Sequence, residues 1–372
     1  MKQFLIFLTP FLLLVQYVFA QDSIRHRVIL IGDAGEMDRQ QQMIIPNAAS
    51  KILQGKTTVI YLGDNIYPNG MALPGHKKQA VTEQILRSQF EPLRKNGATV
   101  YFIPGNHDWD HSGKDGLAKI KQQNTFIKEQ KDSLLKMIPA DGCPGPVAIE
   151  LGDNFTVIAF DSEWWLFPYN KSNPDAHCDC NTKEEVIARF KMLFEKYKNN
   201  IVLLASHHPF QSYGSHGGYF SLRDHIFPLT AMNKYLYIPL PVIGSLYPFS
   251  RTAFVHREDL KHSWYKDMIA QINNSFAEVN PNVMHVAGHE HGLQFIHDEK
   301  KKQWQIISGG GAKENYTLKG KNSLFGKQTQ GYVIADWLPG NKMRYTFYEY
   351  VEGQIKEAFQ YTTSYIPVTT NK

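Results

Sequence analysis

Arg27-Val28-Ile29-Leu30-Ile31-Gly32-Asp33-Ala34-Gly35 is the stretch that decides how the rest of this 372-residue chain is read. A short apolar, β-branched run that stops at Gly-Asp predicts a buried parallel strand presenting a carboxylate at its end. The same order recurs three times. Residues 57–62 run into Gly63-Asp64-Asn65-Ile66-Tyr67, residues 99–103 into Pro104-Gly105-Asn106-His107-Asp108, and residues 283–287 into Gly288-His289-Glu290-His291. Glycine lets a chain turn sharply where a strand stops, and strand ends are where α/β folds gather their chemistry. One Gly-Asp usually marks only a turn. Four such turns, each carrying a ligand-type side chain, predict a site.

Outward from these strands, periodicity predicts helices over 40–53, 80–95, 114–137, 183–197 and 264–276. The last of the clear ones, 183–197, has Asn181 or Thr182 as its cap and Glu184-Glu185 in its first turn. Strands are predicted at 147–151, 155–160 and 201–205, and the tail alternates like antiparallel sheet over 304–307, 332–337, 344–350 and 355–361. The whole is an α/β chain without internal repeats, one large domain over 25–362. Residues 217–262 break the pattern. Their prolines exclude a long helix, and two readings stay open: an insertion packed on the domain surface, or an apolar lid or membrane-surface patch beside the site.

Composition is ordinary for a globular protein, 42% hydrophobic and 20% charged, and the net charge of +5 is spread along the chain. No basic groove or tail argues for nucleic acid as a partner. Residues 1–20 form a charged start, an apolar stretch and a small residue at Ala20, the pattern of a signal peptide; export to the periplasm or medium is expected. An oxidising compartment makes one disulfide reasonable, Cys143 with Cys178 or Cys180.

The donors suit two metal ions. A pair of cations neutralises a phosphate, acidifies a water and orients in-line attack. A shared carboxylate, Asp64, would fix their separation, with Asp33 on one side, the Asn106 amide on the other and imidazole nitrogen supplied to both. The series Gly-Asp-Ala-Gly, Gly-Asp-Asn-Ile-Tyr, Gly-Asn-His-Asp, Ser206-His207-His208-Pro209 and Gly-His-Glu-His resembles the calcineurin-like metallophosphoesterase superfamily. Tyr67, three residues after the second aspartate, narrows the likeness to purple acid phosphatases of the small mammalian type.

That resemblance implies a four-layer α/β/β/α fold, a β-sandwich flanked by helices. It implies Fe(III) held by Asp33, Asp64, Tyr67 and His291, and Fe(II), Zn(II) or Mn(II) held by Asp64, Asn106, His207 and His289. His207 is preferred over His208 because the family ligand stands two residues before the proline. His107 and His216 match histidines that contact phosphate and assist the leaving group. The implied activity is acid hydrolysis of phosphate monoesters by metal-bound hydroxide, on a phosphorylated small molecule or protein.

Glu36-Met37-Asp38 and the 217–262 insertion depart from the small family members and put the substrate rim in question. The competing expectations are a phosphodiesterase acting on nucleotide or phospholipid-type diesters, and a degenerate metal-binding module. A nucleotide-binding loop is a weaker competitor: Gly309-Gly310-Gly311 lacks the Lys and Ser or Thr of such loops and is read as a tight turn near the site. Asp161 with Trp164-Trp165 is read either as pocket lining or as core.

Overall fold

In the computed structural model, residues 24–227, 229, 236–240, 256–280 and 282–365 are described. The expected signal segment and much of the 217–262 insertion lie outside them. Strands β1 (His26–Ile31), β2 (Thr57–Leu62), β3 (Thr99–Ile103) and β4 (Leu135–Met137) run parallel, and β12 (Gly331–Leu338), β13 (Lys342–Val351) and β14 (Gln354–Ser364) extend the same sheet antiparallel beyond β1. A second sheet has the order β11 (Ser323–Lys327), β9 (Leu293–Asp298), β10 (Gln303–Ser308), β8 (Val283–Ala287), β7 (Ile201–Ala205), β6 (Phe155–Ala159), β5 (Val147–Gly152). Within it β6, β7, β8 and β10 are parallel.

Alternation along the strands makes the layers. Val28, Leu30, Ile60 and Leu62 of the first sheet share one apolar cluster with Val157, Leu203, Met284 and Val286 of the second. Phe155 meets Trp337, and Phe295 meets Tyr345, across that interface. Ile29, Ile31, Val59 and Tyr61 point the other way, packing with Ile44, Ile45 and Leu86 of the helices Gln41–Ser50 and Gln79–Lys95. The helices Lys183–Lys196 and Ser263–Phe276 cover the second sheet through Phe190, Phe194, Met268 and Ile272. Strands buried on both faces have no polar side to show, which is why β2 is apolar from Val59 to Leu62 and buried at every residue. The four-layer expectation holds.

The helix expected over 114–137 is shorter than that: Gly116–Glu129 is helical and Leu135–Met137 is a strand. Lys131 turns into the left-handed region at φ 54°, and Asp132 is drawn aside by Arg94, 2.6 Å away. The periodicity continues past a break that side-chain pairing imposes. Also unexpected were β9, β11 and the short helix Ser162–Leu166. Thr182, not Asn181, caps its helix, in a reciprocal box with Glu185. Cys143 pairs with Cys178, 35 residues on, and Cys180 is free and buried. Closing a loop of that length stabilises the fold by about 3–4 kcal/mol.

Candidate metal centre

The carboxyl ends of β1, β2 and β3 meet those of β7 and β8, and every predicted donor is found there. Asp33, Asp64 and His289 adopt φ values of 59°, 54° and 66°, each directly after a glycine. Such backbone costs about 1–3 kcal/mol per residue and persists where surroundings hold it. Here Asp33 N donates to Gly63 O at 3.0 Å, and His289 N donates to Asp33 Oδ2 at 2.8 Å. Gly63 itself is at φ 88°, and a Cβ there would stand 2.5 Å from the His207 ring. A side chain at Gly105 would meet Asp64 Oδ1 at 2.4 Å. These two glycines make room for the donors.

The hydrogen bonds set the tautomers. His207 Nδ1 donates to Leu62 O at 2.8 Å, and His289 Nε2 donates to Glu258 O at 2.9 Å. A neutral imidazole has one proton, so His207 Nε2 and His289 Nδ1 carry lone pairs, and these face each other at 3.2 Å. His207 Nε2 also lies 2.9 Å from Asn106 Oδ1 and 3.3 Å from Asp64 Oδ1. Of these acceptors Asp64 Oδ1 receives the His107 backbone N–H at 2.9 Å. A cation at their centre would satisfy the rest, and backbone carbonyls behind the rings are the usual means of orienting metal-binding histidines.

A second group adjoins it. Tyr67 OH donates to Asp33 Oδ1 at 3.0 Å and stands 3.2 Å from His291 Nε2, which is itself 3.5 Å from Asp33 Oδ1. Donor atoms of Asp33, Asp64 and His207 all lie within 4.8 Å of one another, so Asp64 stands where both groups can share it. The donor set fits two ions, with hard oxygen donors concentrated around one of them.

Electrostatics point the same way. Burial raises the Asp33 carboxyl, and the Asp64 charge adds to it. Burial would raise Asp64 as well, but the positive charge that His207 and His107 bring when protonated, with the His107 backbone N–H, outweighs it and holds Asp64 below the ordinary carboxylate range. Positive charge at this point is therefore what keeps Asp64 ionised. Tyr67 is driven well above a normal phenol by burial and then by Asp33 and Asp64. Burial lowers His291 to about 4 and takes His289 well below its usual value. Buried acids and unprotonated imidazoles in one cluster are costly without positive charge among them.

His208 is buried beside His207 and close enough to His207 and His289 to form a donor group with them. Its Nδ1 is engaged with Ser162 Oγ at 2.9 Å, however, and its Nε2 stands 3.8 Å from Glu163 Oε2. His107 donates its backbone amide to Asp64 Oδ1 at 2.9 Å and packs edge-on to Tyr67. His216 lies on the His289 ring, centroids 3.9 Å apart, with Nδ1 3.0 Å from Asp259 Oδ1. The fold thus brings His216 to the cluster rather than leaving it on an exposed loop. Trp164 and Trp165 are core, and Asp161 caps the helix Ser162–Leu166 that carries them while accepting from Trp109 Nε1.

Sequence reading missed the residues that orient the donors. Glu290 accepts from Ser212 Oγ, Ser215 Oγ and His216 N, which fixes the His216 loop. Asp108 accepts from Asn65 N and Gly105 N, tying the second donor turn to the third. Both stood inside the quoted motifs, as the acidic neighbours of a ligand. Glu258 and Asp259 close the 217–262 insertion and had no local signal at all.

A family model of calcineurin-like phosphoesterases matches residues 26–330. Among solved structures, GAP50, the anchor in the inner membrane complex of Plasmodium, is similar at TM-score 0.53 and 13% identity, over 93% of this chain and 90% of that one. A purple acid phosphatase from seeds of yellow lupin (Lupinus luteus) is similar at TM-score 0.53 and 13% identity, over 95% of this chain but 58% of the lupin chain. At such identities the likeness is one of fold. No curated protein matches the sequence. The extent of the family match, from β1 to the start of β12, is decisive: this chain belongs to the calcineurin-like phosphoesterase family.

Proposed function

We propose that this protein is an exported acid phosphatase with two metal ions, hydrolysing phosphate monoesters of small molecules or proteins. The observation that carries the reading is the convergence of His207 Nε2, His289 Nδ1, Asn106 Oδ1 and Asp64 Oδ1 on one point, with Asp33, Tyr67 and His291 adjoining. Asp33, Asp64, Tyr67 and His291 would hold Fe(III); Asp64, Asn106, His207 and His289 would hold Fe(II), Zn(II) or Mn(II). When bound, such a pair supplies charge neutralisation for the phosphate and an acidified water.

The chain's own groups do the rest. Leu62 O and Glu258 O keep His207 and His289 in the tautomers that present lone pairs inward. His107, at the mouth beside Tyr67, is placed to contact the phosphate. With Asp259 accepting from His216 Nδ1, the proton of the charged ring that remains for a leaving alkoxide is the one on Nε2. Histidine acting as an acid favours turnover below neutral pH. The Cys143–Cys178 bridge supports an oxidising compartment, and the exposed Leu222, Tyr237 and Ile238 support the surface-contact reading of the insertion.

The equal likeness to GAP50 favours one second reading, a metal-binding module that anchors without turnover. Metal analysis, a visible spectrum and p-nitrophenyl phosphate turnover across pH separate the two. The phosphatase reading expects about two ions per chain and a rate that peaks on the acid side; full metal loading with no turnover of any phosphoester supports the module.

A further inference from the structure

The glycine turn 309–311 is pinned to both sheets: Gly309 N donates to Gly292 O at 3.0 Å and Gly311 N to Gly32 O at 2.9 Å. Four residues on, Asn315 N donates to His291 O at 2.8 Å, and its side-chain amide meets His291 Nδ1 at 2.9 Å. Lys313 lies between these two anchors, so its position is set by the strand ends that carry the donors. Its Nζ stands 3.4 Å from the centre of the Tyr67 ring. The side chain is part-exposed, so the ammonium stands over the Tyr67 ring with access to solvent at the mouth of the cluster.

The carboxylate facing it is weakly held. Glu36 Oε2 is 3.9 Å from Lys313 Nζ, with side chains 57% and 30% exposed respectively. An exposed pair at that distance contributes little, so the ammonium can turn to an incoming anion at small cost. Glu36 is also the residue at which the first motif departs from the small purple acid phosphatases.

We propose that Lys313 is a specificity-determining cation that reads substrate charge at the mouth, favouring dianionic phosphate monoesters over monoanionic diesters. This rests on the phosphatase reading above. Above its second pKa, about 6, a monoester brings a second negative charge to the cation where a diester brings an esterified oxygen. The interaction with Lys313 is then stronger for the monoester, and the comparison is made above that pH. Glu36 competes with the substrate for the same ammonium. A purely structural Lys313 would act by covering the Tyr67 ring with its alkyl chain, which methionine reproduces without charge.

The test compares metal-loaded wild type, Lys313→Met, Lys313→Arg and Glu36→Gln on p-nitrophenyl phosphate and bis(p-nitrophenyl) phosphate. In Lys313→Met, kcat/KM is expected to fall about tenfold on the monoester and about twofold on the diester, with the gap shrinking at high salt. Lys313→Arg restores most of the monoester rate, and Glu36→Gln lowers the monoester KM. Equal losses on both substrates, or no loss, overturn the proposal. Calorimetric binding of inorganic phosphate to the metal-loaded proteins keeps the two readings apart. A wild type that turns over neither ester sinks the phosphatase reading, while phosphate affinity unchanged by Lys313→Met sinks the role of Lys313.

Discussion

The two sheets make unequal contributions to the candidate centre. The first, through β1, β2 and β3, brings Asp33, Asp64, Tyr67 and Asn106, all oxygen donors. The second, through β7 and β8, brings His207, His289 and His291, all nitrogen donors. Their burial problems are opposite too. Asp33 and Tyr67 of the first sheet resist ionising in the interior, whereas His289 and His291 of the second resist protonation. Each half is unfavourable alone, and a pair of cations between them relieves both. The sandwich interface, held by Leu30, Leu62, Leu203 and Val286, therefore sets the spacing of the centre.

Asp64 is the sharpest place to break this comparison, since the proposed centre has it shared between the two ions. Asp64→Asn keeps the shape and removes the charge. Turnover should fall by about a thousandfold or more, with both ions reduced, because neutralisation of the phosphate and activation of water depend on the pair. Two tightly held ions by metal analysis would show that the oxygen half does not depend on a shared carboxylate.

The nitrogen half predicts a smaller loss. His207→Ala should remove one ion of two and lower turnover by about a hundredfold, whereas His208→Ala should keep both ions and lose stability through the stranded Ser162 hydroxyl. The reverse pattern in metal content would assign the ligand to His208, which stands in the same cluster of rings.

Most of this was legible because Asp33, Asp64, Asn106 and His289 each lie directly after the glycine that ends their strand, Tyr67 and His291 follow within the same turns, and His207 stands in Ser-His-His-Pro just past β7. An apolar run, a glycine and a polar side chain are local facts, and β1, β2, β3, β7 and β8 follow from them. What escaped was non-local. The helix expected over 114–137 stops because Asp132 answers to Arg94 on a neighbouring helix. Strand β9 was hidden because four successive residues of Leu293–Asp298 are buried, without the alternation that marks antiparallel edges. Asp259 meets His216 across 43 residues, most of them the proline-rich insertion, and nothing near either residue announces the pair.

Asp259 therefore tests how much of the nitrogen half depends on chain far from the motifs. Asp259→Asn should leave both ions in place and lower kcat by about tenfold to a hundredfold, the usual cost of losing a carboxylate behind a functional histidine. The loss should fall on substrates with poor leaving groups, because protonation of the alkoxide is the role proposed for the His216–Asp259 pair. An equal loss on p-nitrophenyl phosphate, whose leaving group needs no proton, would make Asp259 a packing residue only.

Tyr67 gives the smallest change in rate and the clearest in spectrum. Its hydroxyl is the one phenol among the oxygen donors, and it hydrogen-bonds to Asp33. Tyr67→Phe preserves the ring that packs on His107 and receives Lys313. It removes one buried hydrogen bond, at about 1 kcal/mol of stability. Burial and two carboxylates make the phenolate unfavourable unless a cation takes up its charge, so any visible charge-transfer band reports a metal bound at that oxygen. The variant should fold, keep its two ions and lose the band. A band that survives would place the ferric ion away from Asp33 and Tyr67, and the division of oxygen from nitrogen donors between the sheets would no longer describe where the hard ion sits.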